Sequence, residues 1–242
     1  MGDGVRYQRV LLKISGEALG GKAGFGLEKE TLDYIAQEIL AVHHLGVQVC
    51  VVVGGGNFIR GSAFSMKGGI DRTVADHMGM MGTIMNGLAL QAALEAAGLP
   101  TRVQSALTVS EVAEPFIRRR AVRHMEKNRV VVFAAGTGNP YFTTDTAAVL
   151  RALETDSQVV LKATKVDGVY DKDPRKHTDA VKYAQLSFEE AINKKLAVMD
   201  QTAFAMCQEN NLPVVVLDLM KPGGMARVVR GEPEGTLVSN VQ

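Results

Sequence analysis

The chain has 242 residues, with 27 lysines and arginines set against 26 aspartates and glutamates for a formal net charge of +1. A chain of this length buries a substantial core without disulfide staples, and interspersed charges of both signs leave no basic footprint for nucleic acid and no acidic tail. Aromatic residues make up 5% and tryptophan is absent, which argues against a base-stacking platform, and no apolar run reaches the roughly 20 residues that cross a bilayer.

Cys50 and Cys207 lie in apolar contexts and read as small buried hydrophobes in a reducing compartment, not as metal ligands. The expectation is a cytoplasmic protein that binds small charged molecules, with neither nucleic acid nor membrane as a partner.

In chain order, a first strand is expected at Val10–Ile14 and runs into Ser15-Gly16-Glu17. It puts Lys13 in the last residues of a buried strand, as a lid over the sheet end or as a point charge for a transferring phosphoryl group. A helix over Glu28–His44 follows, then a strand over Val47–Val53 that ends in Gly54-Gly55-Gly56-Asn57-Phe58-Ile59-Arg60-Gly61. Three consecutive glycines permit backbone contact with a ligand, and Arg60 offers either a planar fork for phosphate oxygens or a surface salt bridge.

A long helix, Asp71–Ala97, carries Met78, Met80, Met81 and Met85 beside small residues, a pattern that suits core or subunit packing. Next come a strand over Thr101–Gln104, a helix over Ser110–Lys127 whose Arg118–His124 run reads as a solvated basic face, and a strand over Val130–Phe133. His43, His44 and His124 show no metal-ligand spacing and are expected at the surface or at helix caps.

The strand over Val130–Phe133 runs into the most informative stretch, Gly136-Thr137-Gly138-Asn139-Pro140-Tyr141-Phe142-Thr143-Thr144-Asp145. It reads as an anion cradle or as an ordinary glycine-rich turn. Glycines bring backbone N–H groups close to an oxyanion, the threonines add donors, and a helix over Thr144–Glu154 aims its positive end at the same place. Asp145 would repel a phosphate there unless a lysine or other cation stood between them.

A strand over Val159–Leu161 leads into a turn-rich segment, Lys162–Pro174, where Tyr170 offers a ring to a nucleobase. Helices over Ser187–Lys194 and Asp200–Asn210 follow, then a strand over Val214–Leu217. Lys221-Pro222-Gly223-Gly224 reads as a helix start with proline at an early position, and Gly235–Val238 as a short strand at the sheet margin. The alternation predicts a three-layer α/β/α sandwich with a mostly parallel central sheet, residues 1–242 forming one domain, with ligands beyond the carboxyl ends of the strands. Neither G-x-x-x-x-G-K-[ST] nor G-x-G-x-x-G is present in position, which disfavours a P-loop kinase and a simple dinucleotide dehydrogenase. Anion-friendly loops at successive strand ends suit two phosphorylated ligands held head to head.

In order across nearly the whole chain, Leu12–Leu19, Gly54–Gly61, Asp76–Met80, Gly136–Asp145 and Thr164–Tyr170 resemble the bacterial UMP kinase family. That family has the amino-acid-kinase (carbamate-kinase-like) fold, which lacks a Walker motif. The resemblance implies transfer of the ATP γ-phosphoryl group to UMP in pyrimidine nucleotide biosynthesis, with Mg²⁺ arriving as Mg-ATP and no metal residues of the protein's own. It implies ATP contacts at Lys13, Ser15, Gly16, Gly56, Arg60, Thr164, Tyr170 and Asp173. UMP is implied to meet Gly55, Arg60 and Thr144 through its phosphate, Asp76 through its ribose, and Thr137, Gly138, Asn139, Pro140, Tyr141, Phe142 and Thr143 through its base. Catalysis falls to Lys13 and Arg60, with Asp145 and Asp200 orienting lysines or metal-bound water and Lys162 as a second cation. A homohexamer, activated by GTP and restrained by UTP, is also implied. The competing expectations are a sister kinase with a carboxylate or carbamate acceptor and a non-catalytic nucleotide sensor.

Overall fold

The computed structural model describes residues 4–59, 69–196 and 198–240. The chain begins with β1 (Arg9–Ile14), α1 (Gly16–Leu19), α2 (Lys29–His43), β2 (Gln48–Val53), α3 (Arg72–Ala96) and β3 (Thr101–Ser105). It continues through β4 (Glu114–Pro115), α4 (Arg118–Glu126), β5 (Val130–Ala134), α5 (Thr144–Glu154), β6 (Val159–Thr164), β7 (Val169–Tyr170) and β8 (Lys182–Tyr183). The last third holds β9 (Gln185–Ser187), α6 (Phe188–Asn193), α7 (Gln201–Glu209), β10 (Val214–Asp218), α8 (Gly224–Arg230) and β11 (Thr236–Ser239).

Nine strands form one sheet in the order β4-β3-β5-β2-β1-β6-β10-β11-β9, and β7 pairs with β8 in a separate hairpin. The pairing is parallel throughout the sheet except between β10 and β11. The period-two alternation of strand side chains builds two cores. Val10, Leu12 and Ile14 of β1 face the layer of α2, α3 and α8, while Leu11 faces the layer of α4, α5, α6 and α7. All five residues of β5 are buried. Burying each valine contributes roughly 1.5–3 kcal/mol, which makes the central strands rigid supports for the loops at their ends. No helix among the described residues is long and apolar enough to cross a membrane.

Four expectations need correction. The helix expected over Ser110–Lys127 forms only at Arg118–Glu126, because Pro115 disfavours helical backbone before it, and Glu114–Pro115 instead adds the edge strand β4. The helix after Lys221 starts at Gly224 with Gly223 as its N-cap at φ 70°, so Pro222 precedes the cap and is not its first residue. The final strand is not marginal, since β11 lies between β10 and β9. His124 is also not a surface residue: its side chain is 12% exposed and its Nε2 is 3.0 Å from Glu114.

Because β1, β2, β5 and β6 run in one direction, the segments after Ile14, Val53, Ala134 and Thr164 emerge along one edge of the sheet. The chain passes from β1 to β2 on one side, and β6 flanks β1 on the other. Such a reversal of strand order opens a crevice at the carboxyl ends.

Candidate active site

Lys13 of β1 and Lys162 of β6 are register partners on neighbouring strands. Strand alternation sends Leu12 to the α3 face and therefore Lys13 to the α5 face, where the two ammonium groups would repel each other. Asp145, in the first turn of α5, enters between them. Lys13 Nζ is 2.8 Å from Oδ1 and Lys162 Nζ is 2.7 Å from Oδ2. The Lys162 contact is an aligned hydrogen bond, whereas Oδ1 faces Lys13 as a charge contact without that alignment. Lys162 also donates to the Val198 carbonyl. Burial on its own would raise the Asp145 pKa, but the two ammonium charges outweigh it and hold the carboxyl below its ordinary value. Burial, helped by the Lys13 charge, pulls Lys162 below an ordinary lysine against the attraction of Asp145.

The start of α5 is fixed from two sides. Thr143 is its N-cap, accepting from the N–H groups of Asp145 and Thr146 at 3.0 and 3.3 Å. Asp200 caps α7 by accepting from the Ala203 N–H at 2.9 Å, and it also accepts from the Thr146 hydroxyl at 2.9 Å and from the Thr143 hydroxyl. The positive ends of both helices thus converge near the lysines, an arrangement that attracts anions.

The loops after β1 and β2 approach so closely that only glycine fits. A Cβ on Gly16 would sit 2.7 Å from the Gly54 carbonyl, the Gly56 nitrogen and the Asn57 side chain. Ser15 is the N-cap residue of α1, although its hydroxyl makes no capping bond.

Two cavities open near the Lys13–Asp145–Lys162 centre, one reaching it through Lys162 and the other through Thr144, the neighbour of Asp145. The smaller, of about 120 Å³, is lined by Gly55, Gly56, Asp76, Thr137, Asn139, Phe142, Thr143 and Thr144, with Gly79, Met80 and Thr83 of α3 completing its wall. Gly56, grouped above with the ATP residues, therefore borders the same space as the residues grouped with UMP. Asp76 is held by Arg72 Nε at 2.8 Å and accepts from the Tyr141 N–H at 2.8 Å. That backbone bond accompanies a left-handed Tyr141, φ 72°, whose ring lies 5.6 Å beneath the Arg72 guanidinium. Gly138, Pro140 and Tyr141 complete the loop without lining the cavity; Gly138 takes φ 80° where it packs on Ala106.

The larger cavity, of about 550 Å³, is lined by Lys162, Thr164, Tyr170 and Asp173, with Lys165, Lys172, Lys194 and Lys195 making it strongly basic. Thr164 donates to the Val166 carbonyl at 2.7 Å and Asp173 accepts from the Arg175 N–H at 3.0 Å, so both are turn-forming. Tyr170 donates to Asp167 at 2.6 Å, and that bond raises the phenol pKa and lowers that of the carboxyl. Lys162 lines the larger cavity and Thr144, next to Asp145 in the chain, lines the smaller, while Lys13 and Asp145 line neither.

Arg60 lies outside the described residues. Sequence reasoning missed Thr83, Asn86 and Thr146 as parts of this site. Polar residues recurring on the apolar face of α3 and α5 were the available signal. Among the described residues, no three His, Cys, Asp or Glu side chains gather as a metal would require.

The sequence profile of the Amino acid kinase family matches residues 8–218. The chain is 57% identical over 234 residues to the uridylate kinase of Cereibacter sphaeroides, covering 97% of this chain and 95% of that one. Its fold superposes on the crystal structure of UMP kinase from Bacillus anthracis with a TM-score of 0.93 and 39% identity, covering 98% of this chain and 97% of the other. The UMP kinase of Ureaplasma parvum gives 0.90 and 39%, covering 97% and 100%.

Proposed function

The chain belongs to the amino acid kinase family and within it to the uridylate kinases, which phosphorylate UMP; on that premise we propose that Lys13 and Lys162, gripped by Asp145, form the charge centre at which the ATP γ-phosphoryl group is transferred. The observation that carries this reading is the ion-paired cluster itself: Asp145 holds both lysines, Lys162 lines the larger cavity, and Thr144, adjacent to Asp145, lines the smaller.

UMP takes the smaller cavity, with its phosphate toward Gly55 and Thr144, its ribose at Asp76 and its base along Thr137–Thr143. Uracil presents one N–H flanked by carbonyls, which exposed backbone groups match, whereas cytosine would leave buried groups unpaired. ATP takes the larger cavity, its adenosine near Thr164, Tyr170 and Asp173 and its phosphates reaching Lys13, Ser15, Gly16 and Gly56. Arg60 completes the cation set.

A UMP phosphate oxygen attacks the γ-phosphorus as the bond to the β-phosphate oxygen breaks, and ADP leaves with that electron pair. A phosphate monoester with a second pKa of about 6 is already ionised at neutral pH, so no general base is needed. The protein's part is to align two anions and offset their charge as it moves. Asp145 keeps both lysines aimed, and Asp200 holds the Thr143 turn that starts α5. Asp145 faces two lysines and Asp200 accepts from hydroxyls and a backbone N–H, which fits a Mg²⁺ that travels on ATP. When bound, that ion offsets charge on the donor phosphates. The reading extends to a cytoplasmic homohexamer of one-domain subunits, activated by GTP and restrained by UTP, supported by the motif resemblance.

The test is an ADP-release assay with Mg-ATP, comparing UMP, CMP, AMP and acetylglutamate, with and without GTP. Turnover on UMP with little on CMP is expected. Equal turnover on CMP would overturn the base-recognition assignment, and turnover on acetylglutamate would overturn the acceptor site.

A further inference from the structure

In-line transfer needs two phosphates held at a fixed distance and angle, yet the loops that would hold them leave different strands. One element touches both. Asp76, Thr83 and Asn86 lie on one face of α3, with Thr83 two turns and Asn86 roughly three turns along from Asp76. Each spends its polar group on a loop. The Asn86 amide donates to the Gly54 carbonyl at 2.6 Å and exchanges two hydrogen bonds with the Asn57 amide, at 2.7 and 2.9 Å. The Thr83 hydroxyl accepts from the Ala135 N–H at 2.7 Å and donates to the Met80 carbonyl at 2.7 Å. Asp76 receives the Tyr141 N–H further along that second loop.

The geometry points to α3 as the gauge that sets the register between the glycine loop after β2 and the loop after β5, with Thr83 and Asn86 as its positioning residues. This rests on the reading above, in which the first loop meets both phosphates and the second holds UMP. Asn57 and Asn86 are fully buried and Thr83 is 3% exposed, so water does not replace these bonds when one is lost. The contact leaves no slack either, since a Cβ on Gly55 would lie 2.4 Å from the Gly79 carbonyl of α3. Asn57 carries the same constraint outward by donating to the Gly26 carbonyl at 2.6 Å. A shift of about 1 Å in a reacting group costs on the order of a hundredfold in rate, so small changes in this gauge fall on turnover before they fall on binding.

The test compares Thr83→Val, Thr83→Ser and Asn86→Asp in the full-length enzyme, measuring kcat, both Michaelis constants, the equilibrium affinity for UMP and the melting temperature. Leu94→Ala, a buried substitution further along the same helix, supplies a variant that is destabilised without touching either loop. The expected result is a fall in kcat of roughly tenfold or more for Thr83→Val and Asn86→Asp, with UMP affinity within about threefold of the parent. Thr83→Ser keeps the hydroxyl and restores turnover. Unchanged kcat in both variants, or a fall that Leu94→Ala reproduces at the same melting temperature, overturns the proposal. Lys13→Ala separates the two levels. If it keeps full turnover, the substrate placement is wrong; if it loses turnover while Thr83→Val does not, the gauge alone is wrong.

Discussion

The smaller cavity takes its walls from backbone pinned by buried side chains, whereas the larger takes its walls from turns tied by exposed ion pairs. Around the first, Thr83 and Asn86 are buried and the Asp76 carboxylate is 14% exposed. Around the second, Lys182 meets Asp167 with side chains 30% and 42% exposed, and Lys176 meets Asp173 at 77% and 44%. Exposed pairs contribute roughly 0–1 kcal/mol each, while buried polar groups are expensive to leave unpaired. With UMP and ATP placed as proposed, tight geometry is concentrated where an acceptor must be chosen and aimed, and the side proposed for the larger nucleotide is held more loosely.

The contrast breaks first at its junction. At an effective dielectric of about 20, a unit charge about 4 Å away contributes about 4 kcal/mol, so Lys13→Ala is expected to lower kcat by about a thousandfold. Lys22→Ala, an exposed lysine in the loop after α1, leaves turnover as it was; equal losses in the two variants would remove Lys13 from the centre. Asp145→Asn follows. It leaves two lysines side by side without their shared anion, with an expected loss of about 3 kcal/mol in unfolding free energy by urea titration, besides loss of activity.

The same carboxylate sets an acid limit. Because its pKa is held below the ordinary value, the pairing stabilises the fold at every pH above about 4 and is lost as acid carries the pH down through the folded value. Asp145→Asn should flatten that part of the stability profile, and an unchanged acid limb would place the titrating group elsewhere. On the alkaline side Lys162 gives up its proton earlier than an ordinary lysine, so turnover falls before pH reaches about 10.5, and Lys162→Arg moves that fall upward.

Smaller effects sharpen the division of the two cavities. Asp76→Asn is expected to raise the UMP Michaelis constant roughly tenfold through one weakened charged hydrogen bond while leaving that for ATP in place. A change confined to ATP would reverse the assignment of the cavities. Lys182→Ala, which removes the pair with Asp167 beside the larger cavity's Gly168 and Tyr170, should cost less than about 1 kcal/mol in stability and shift the ATP constant by less than threefold. A large effect there would mean that the donor side is held as firmly as the acceptor side.

Much of this plan was legible because its signals are local. Short apolar runs rich in Val, Ile and Leu marked β1, β2, β5 and β6, and glycine clusters just past Val53 and Ala134 marked the loops that form the site. The helices expected over Thr144–Glu154 and Asp200–Asn210 form with starts within a residue of those bounds, where Thr143 and Asp200 act as the caps. What remained hidden depends on partners far apart in sequence. Nothing near Lys162 shows that Asp145 will take its charge. Thr83 and Asn86 read as ordinary polar residues in a long helix until β2 and β5 are brought beside it. The short strands β4, β7, β8 and β9 have two or three residues each, too few for any periodicity to register. The helix expected over Ser110–Lys127 failed because a helical pattern around Pro115 was extended through a residue that ends helices.

The close approach at Gly16 also bears on how such a protein tolerates mutation. A single methyl group there would collide with backbone of the loop after β2 as well as with Asn57. One codon therefore governs two loops, and a change made to stiffen the turn after β1 is felt as a displacement of the glycines after β2. Neither loop can diverge alone: a lineage that enlarges one must first reshape the other, which turns two separate stretches of sequence into one heritable unit.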